Sequence, residues 1–201
     1  FADDLSLPGM LHAKLLRSPF AHARLVRIDT SAAEALPGVV AVLTGEALPT
    51  SFGILPVSQD EHALCRDKVR FVGDPVAAVA AVDEETAFEA LSHIRVEYEP
   101  LDPVFEPAEA IKNEIEPIHD YGDDGNVHKR VSMEFGNVAA ALDESDLLLD
   151  HEFFYEGNTH LPMEQHATLA WQEPDGRITI WSSTQTPHYL HRALARTLHP
   201  L

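Results

Sequence analysis

The sequence predicts an α+β protein built in two parts, and three stretches support that prediction. Residues 68–98 alternate between strand-like and helix-like patterns, which is typical of a strand–helix–strand unit. Residues 99–125 contain four prolines with acidic residues between them, as expected of an extended linker. Residues 167–198 then predict a β-hairpin followed at once by a helix. The two predicted parts are residues 1–114 and residues 115–201.

The composition indicates an acidic protein with an ordinary core. The chain has 201 residues, of which 45% are hydrophobic, and its 33 acidic and 14 basic residues give a net charge of −19. This charge repels nucleic-acid phosphates and anionic membrane surfaces, so we expect neither as a partner. The longest apolar run, PVAAVAAV, has the length of a strand, and no signal peptide is visible.

A single cysteine, Cys65, excludes an internal disulfide and any site built from four cysteines. The cysteine lies in a polar stretch, where it could be exposed. Together with the absence of a signal peptide, this composition predicts a cytoplasmic protein. Because the chain begins at Phe1 and ends just after a predicted helix, we also expect it to be a piece of a longer polypeptide.

The first part begins with four short elements and a loop. In order, they are a strand at 8–17, a strand at 23–28, a short helix from Ser31 to about Leu36, a buried strand at 39–43 and a long loop at 51–67. On the first strand, Leu11, Ala13 and Leu15 share one face. Ser31 and Glu34 have the spacing of a capping box, which predicts where the helix begins.

The strand–helix–strand unit follows. Its predicted elements are a strand at 68–72, a turn at 73–75, an apolar strand at 76–82, a helix capped by Asp83 and a strand at 95–98. The helix is expected to bury Ala87, Ala90, Leu91 and Ile94. A crossover of this kind implies a parallel strand pair with helices packed on a sheet.

The second part begins with the linker, where we expect proteases to cut first. After it come a short helix from Asn137 to Leu142, a strand at 147–155 and a hairpin at 167–172 and 177–181. Thr186 and Pro187 have the residue types of a helix N-cap and first turn. The apolar face of this last helix comprises Leu190, Ala193, Leu194, Thr197 and Leu198.

Gln185 is the sharpest functional candidate, because it lies at the corner between the last strand and the last helix. A neutral amide there can donate a hydrogen bond to an anionic ligand group without adding charge. The competing interpretation is an ordinary strand-end glutamine bonded to backbone, and the residues alone favour it. Ser183 and Thr184 are weaker candidates, since hydroxyls before a helix usually satisfy local backbone groups.

His160, Glu164 and His166 form a second group of polar candidates. Their spacing differs from that of a helical zinc motif, and Pro162 lies between them, so we expect no protein-bound metal there. Instead, His160 and Glu164 are expected to make buried hydrogen bonds that fix the turn. The remaining histidines show no ligand spacing, and we expect surface or locally bonded roles for His12, His22, His62, His93, His119 and His128.

The stretches EGNTHLPMEQHA and WSSTQTPHYLHR resemble the molybdenum-cofactor subunit of the xanthine dehydrogenase and aldehyde oxidase family. Two longer segments are similar to the family's α/β hammerhead domain, PGMLHAKLLRSPFAHARLVRIDTSAAEALPGVVAVLTG and VRFVGDPVAAVAAVDEETAFEALSHIRVEYEPLDPV. FGNVAAALDESDLLLDHEFFYEG is similar to the entry into its molybdopterin-binding domain. Within the family, these residues are most similar to the branch represented by 4-hydroxybenzoyl-CoA reductase.

This resemblance implies a fold, a site and a function. The fold is a hammerhead domain followed by the beginning of a molybdopterin-binding domain. The resemblance implies that Gln185 contacts the cofactor directly and that His160, Glu164 and Thr184 lie next to the residues that make such contacts. It implies no catalytic residue in this piece. The implied groups are a molybdopterin cytosine dinucleotide in this subunit, with 2Fe–2S and FAD on partner subunits.

The implied reaction is the reductive removal of the ring hydroxyl of 4-hydroxybenzoyl-CoA, an aromatic acyl-CoA. One alternative is the hydroxylation of an aldehyde or N-heterocycle with oxygen from water. The other is a non-catalytic assembly module, if the chain is complete. Because the family's glycine-rich segment and catalytic glutamate have no counterpart within residues 1–201, we expect this chain alone to be inactive.

Overall fold

A computed structural model of the protein describes residues 1–53, 59–112, 115–119 and 124–198. The strands are β1 (His12–Arg17), β2 (Ala23–Asp29), β3 (Val39–Thr44), β4 (Lys68–Val69), β5 (Pro75–Ala81), β6 (Arg95–Pro100), β7 (Thr168–Gln172) and β8 (Ile178–Ser182). The helices are α1 (Ser31–Glu34), α2 (Glu84–His93), α3 (Pro107–Ala110), α4 (Val138–Asp143) and α5 (Pro187–Thr197). This mixture of helices and antiparallel sheets confirms the predicted α+β class.

The first sheet has the order β1-β5-β3, with β5 in the centre. Val76, Ala77, Val79 and Ala81 of β5 are at most 1% exposed, so this strand is covered on both faces. That double burial explains why its sequence is a continuous apolar run and not an alternating one. Helix α2 covers one face, and its fully buried Ala87 belongs to the predicted apolar stripe.

Helix α2 begins as predicted. The Asp83 carboxylate accepts a hydrogen bond of 2.7 Å from the backbone N–H of Thr86, which satisfies one of the free donors of the first turn. The Asp83 pKa is lowered, chiefly because this backbone hydrogen bond stabilises the ionised carboxylate. On the neighbouring strand β1, the Lys14 ammonium lies 4.5 Å from the ring centroid of Phe88 on α2.

The predicted parallel strand pair is wrong. Strand β6 pairs with β2 in a second sheet of order β4-β2-β6, whereas β5 lies in the first sheet. Helix α2 therefore connects two sheets, and every strand pair in the described ranges is antiparallel. A parallel pair requires both strands of the crossover to share a sheet, and periodicity alone does not establish that they do.

Two smaller expectations also need correction. Strand β3 is not buried, because it lies at the edge of its sheet, and Val40 is 58% exposed. Helix α1 has Thr30 as its N-cap residue, and Ser31 instead donates to the Asp29 carboxylate. On β1, Leu11, Ala13 and Leu15 share one face as predicted; this face is exposed, and Leu16 on the other face packs on the core.

Cys65 is buried, at 6% exposure, and this overturns its expected position in an open polar loop. It belongs to a second core cluster with Ala23, Val69 and Val76. Burial, reinforced by the negative charge of Asp74, raises the pKa of the Cys65 thiol. The thiol is therefore neutral at physiological pH and has no sign of activation.

The proline-rich linker is partly attached to the second sheet. The Lys68 ammonium donates to the carbonyl of Pro117 at 2.6 Å, and the Arg70 guanidinium donates to the carbonyl of Ile118 at 3.1 Å. The Ile118 N–H also donates to the Asn126 side chain at 2.6 Å. The predicted domain boundary at 114 lies outside the described residues, so it stays a prediction.

Between the linker and the hairpin, the chain is extended and exposed apart from helix α4. Asn137 caps α4 as predicted, its side chain accepting from the Ala140 N–H at 3.1 Å. The strand predicted at 147–155 is wrong, since no described segment lies beside it as a pairing partner, and Phe153 and Phe154 are each 89% exposed. The hairpin β7–β8 and helix α5 are confirmed. No helix in the described ranges has the length and apolarity needed to cross a bilayer.

Candidate functional site

On one side, the corner between β8 and α5 is held by hydrogen bonds to the β7–β8 hairpin. The Ser183 N–H donates to the Ala167 carbonyl at 3.1 Å, which extends the β7–β8 pairing by one step. The Ser183 hydroxyl then accepts from the Ala167 N–H at 3.0 Å. Ser183 is thus engaged with the neighbouring strand through both its backbone and its side chain.

The helix side of the corner is fixed by Thr184 and Thr186. The Thr186 carbonyl accepts from the N–H groups of Tyr189 and Leu190, each at 3.1 Å, so Thr186 is the N-cap residue. Its hydroxyl makes no capping hydrogen bond, in contrast to the predicted cap. Instead, the Thr184 hydroxyl accepts from the Thr186 N–H at 3.1 Å and closes the turn locally.

Gln185 is exposed, and its side chain makes no hydrogen bond within the described residues. The competing interpretation, a glutamine bonded to backbone, therefore does not describe this structure. An apolar groove of about 540 Å³ runs between β8 and α5 beside the corner, and Ser182, Thr184 and Pro187 lie at its corner end. Gln185 is not among the residues that line the groove. Its amide is held at a rigid junction and remains available to a ligand.

His160, Glu164 and His166 lie in the exposed stretch that precedes β7. The buried hydrogen bonds expected of His160 and Glu164 are absent from the described residues, because nothing in those residues covers this stretch, and the neighbouring Met163 is 96% exposed. The structure therefore brings Thr184 and Gln185 together, but not these three residues. No group of three histidine, cysteine or acidic side chains in the described ranges could hold a metal ion.

The same stretch contains one unusual backbone conformation. Leu161 has a φ of 43°, and no other non-glycine residue in the described ranges has a positive φ. Side chains with a Cβ adopt this region at a cost in conformational energy. Leu161 directly follows His160 and precedes Pro162. Its backbone conformation therefore sets the direction in which the chain continues after His160.

One of the scattered histidines is buried and another is half-buried, which the sequence did not predict. His22 is 3% exposed, its Nδ1 lies 3.1 Å from the carbonyl oxygen of Asp102, and its Nε2 has no partner among the described atoms. His62 is partly buried, and burial lowers its pKa. His119 was expected to be at the surface or locally bonded, and its Nδ1 lies 2.8 Å from the carboxylate of Asp60, a residue distant in sequence.

Comparison with known protein families gives two matches. Residues 1–102 match the aldehyde oxidase and xanthine dehydrogenase a/b hammerhead domain, and residues 118–200 match the molybdopterin cofactor-binding domain. These matches confirm the predicted fold, a hammerhead domain followed by the beginning of a molybdopterin-binding domain. The chain belongs to the xanthine dehydrogenase and aldehyde oxidase family, within its molybdenum-binding subunit.

Individual relatives agree with this assignment. The chain is 39% identical over 191 residues to the nicotinate dehydrogenase large molybdopterin subunit of Eubacterium barkeri, covering 94% of this chain and 44% of that protein. It is 36% identical over 212 residues to the xanthine dehydrogenase molybdenum-binding subunit of Escherichia coli O157:H7, covering 98% of this chain and 27% of that protein.

Among solved structures, quinoline 2-oxidoreductase from Pseudomonas putida 86 superposes with a TM-score of 0.83 at 34% sequence identity. The match covers 98% of this chain and 26% of that chain. The chain therefore spans between about a quarter and less than half of the length of these three relatives. Their names refer to nicotinate, xanthine and quinoline, and none refers to 4-hydroxybenzoyl-CoA.

Proposed function

We propose that this chain forms one wall of the molybdopterin-cofactor site in a molybdenum-dependent oxidoreductase, with Gln185 as its cofactor contact. The proposal depends on one observation, which is how the side-chain hydrogen bonds at the corner are distributed among its residues. Ser183 and Thr184 use their hydroxyls locally, whereas the Gln185 amide has no partner among the described residues and is exposed. The corner thus presents one neutral donor from a fixed backbone.

The donor set at this corner fits an anionic cofactor. The Gln185 amide offers two N–H donors and one carbonyl acceptor without a charge, so it can bond to an oxygen of a negatively charged group at no electrostatic cost. Thr184 holds the turn that carries Gln185, which makes Thr184 a positioning residue in this proposal. His160 and Glu164 would approach the site only if the stretch that contains them becomes covered in the complete subunit.

The bound group supplies the two-electron redox chemistry. In the proposed reaction, an aromatic C–H bond and water give C–OH, two electrons and two protons. The names of the relatives support an N-heterocycle as the substrate class, and the matched hammerhead domain is also named for aldehyde oxidase. The same proposal includes the cytosine dinucleotide form of the cofactor. It also includes electron transfer to 2Fe–2S and FAD groups on partner subunits.

The second candidate function is the reverse reaction, in which the enzyme reduces its substrate. In it, a phenolic C–OH takes up two electrons and two protons to give C–H and water, as in the reduction of 4-hydroxybenzoyl-CoA. Only the residues of EGNTHLPMEQHA and WSSTQTPHYLHR favour it. Assays of the assembled enzyme with nicotinate or xanthine plus an electron acceptor, and with 4-hydroxybenzoyl-CoA plus a reductant, separate the two candidates directly.

The role of Gln185 is tested in the complete subunit with its partners. Gln185→Ala should lower turnover by about 100-fold or more, since loss of one aimed donor has that effect in comparable sites. Gln172→Ala is the matched control, because Gln172 is an exposed glutamine at the end of β7. Molybdenum content and turnover are measured for both. Equal values for the two variants would contradict the assignment.

A further inference from the structure

Helix α2 covers only one face of the first sheet. On that face, Ala77 and Val79 of β5 belong to the same core cluster as Ala90 of the helix. Side chains alternate between the two faces of a strand, so Ala78 lies on the opposite face together with Val76. Val76 is fully buried because it packs in the second core cluster, but Ala78 is only half-buried. The cover over this opposite face therefore ends after Val76.

The register of the sheet joins the uncovered residues into one continuous surface. Residues of β1 and β3 pair with the same alanines of β5, which lies between them. Two rows of side chains result, and every residue in them is apolar. We call this surface the outer face, and its two rows are Leu15–Ala78–Leu43 and Ala13–Ala80–Ala41.

The outer face has the wrong polarity for a surface that remains in water. An antiparallel sheet with one solvated face usually carries polar side chains on that face. Strand β6 of the second sheet follows this rule, since its Arg95, Glu97 and Glu99 are exposed. On the outer face, by contrast, Leu15 and Leu43 are each 42% exposed. A contiguous apolar surface of this kind marks a site of interaction with another segment of protein.

The shape of the outer face is a shallow trough. Ala78 and Ala80 form its floor on the central strand, and the larger side chains of Leu15 and Leu43 rise on either side. Because β1 and β3 are two strand spacings apart, the trough is about 10 Å wide. An α-helix with its side chains has a diameter of about 10–12 Å, so one helix can contact the floor and both sides. A flat sheet would leave the alanine floor unfilled.

The small size of the outer face favours a tethered segment over a free partner. Its two rows lie about 7 Å apart along the strands, so its area is far below the ~800 Å² that each partner buries in a stable complex. A segment of the same polypeptide needs less area, because tethering gives it an effective concentration on the order of 1 mM. The chain spans 27% of its relative from Escherichia coli O157:H7, which leaves most of that polypeptide to supply such a segment.

We propose that the outer face is the docking site of an amphipathic helix from the same polypeptide, supplied by the part of the subunit outside residues 1–201. The apolar side of this helix covers the alanine floor and packs between Leu15 and Leu43. The docking site belongs to the region before the linker, and it requires neither the cofactor nor Gln185. Its test is therefore independent of the proposed function.

Cysteine labelling tests whether the outer face is covered. Leu43→Cys is prepared in this chain and in the complete subunit without its partner subunits, and maleimide labelling of residue 43 is measured by mass spectrometry. We expect labelling at least about tenfold slower in the complete subunit, because the docked helix must open first. Cys65 adds little background, since it is buried and its pKa is raised. Leu15→Cys repeats the measurement at the other side of the trough.

Glu85→Cys is the matched control, because Glu85 is exposed on α2. It should be labelled at the same rate in both proteins, and matching thermal unfolding midpoints establish that the variants are folded. Equal labelling rates of Leu43→Cys in the two proteins, or equal protection of Leu43→Cys and Glu85→Cys, would overturn the proposal. Protection that appears only with added partner subunits, or that this chain loses on dilution, would overturn it in favour of a partner subunit or a second copy.

Cross-linking identifies the segment that covers the outer face. A photo-reactive benzophenone attached to the cysteine of Leu43→Cys in the complete subunit should cross-link to a segment outside residues 1–201. The apolar residues of that segment should recur at intervals of three and four, as on one face of a helix. Cross-links confined to residues 1–201, or formed with a segment that lacks this spacing, would contradict the proposed helix.

Discussion

The region before the linker and the region after it have similar apolar residues but opposite burial. Val69 and Val76 of the first region are fully buried, whereas Phe153 of the second is 89% exposed. All buried residues of the described ranges lie between Ser18 and Ile94. Apolar composition alone therefore does not give a core, because a core also needs a second layer to pack against.

This difference indicates where the second region needs further protein. Continuous apolar exposure marks a surface that another polypeptide segment covers. The chain spans 27% of its relative from Escherichia coli O157:H7, so we expect the remainder of the subunit to provide that cover. The first region supplies its own packing, and the second contributes a hairpin and a helix that carry the candidate corner.

The largest expected effect is on independent folding. A fragment of residues 1–127 should unfold cooperatively on heating, because it retains both core clusters and the attached linker. A fragment of residues 128–198 should show no cooperative transition. Thermal melting followed by circular dichroism distinguishes them. A sharp transition of the second fragment would refute the proposed dependence on further protein.

Limited proteolysis measures the same contrast within one chain. We expect the first cuts between residues 128 and 166 on either side of α4, where the backbone is extended and the side chains are exposed. The linker, which the sequence predicts as the first site, should be partly protected where Lys68 and Arg70 hold it. Mass spectrometry of early fragments identifies the sites. First cuts within residues 76–98 would contradict the division altogether.

A matched pair of glycine substitutions sharpens the comparison at single residues. A Cβ at Gly45 would clash with the Cys65 carbonyl oxygen, so Gly45→Ala should destabilise the protein by about 1–3 kcal/mol. A Cβ at Gly157 would meet no atom within 4 Å, so Gly157→Ala should change stability by less than about 0.5 kcal/mol. Denaturant unfolding gives both values. Equal effects would show that the first region is not tightly packed.

Local patterns predicted the elements that depend on neighbouring residues in sequence. Asp83 and Asn137 cap their helices as expected, and Pro187 begins α5. Residues 174–176 form the expected hairpin turn. These features follow from backbone geometry and hydrogen bonds within a few residues, which a sequence contains completely.

Long-range arrangement could not be predicted in the same way. The distribution of β5 and β6 between two sheets depends on pairing with β1, β3 and β2, which periodicity does not specify. The same holds for buried Cys65 and for His22, whose environments are formed by distant segments. At the candidate site, the corner was predictable, but the exposure of His160 and Glu164 was not.

The smallest expected effect concerns the Cys65 thiol. Burial raises its pKa, whereas an unfolded thiol has a pKa of about 8.5, so the unfolded state loses its proton first as pH rises. The stability that the protonated Cys65 thiol contributes is fully present below the pKa of the unfolded thiol, and it decreases as the pH rises above that value. The unfolding midpoint should therefore fall less between pH 8 and 10 in Cys65→Ala than in the parent chain. An identical fall would show that the thiol does not contribute.

The central claim is that the corner between β8 and α5 presents Gln185 to a molybdenum cofactor. A crystal structure of the assembled enzyme, with the metal located by its anomalous scattering, tests it most directly. We predict that the Gln185 amide lies about 2.7–3.2 Å from an oxygen of the bound cofactor. A cofactor bound elsewhere, with no polar atom within about 3.5 Å of that amide, would contradict the claim.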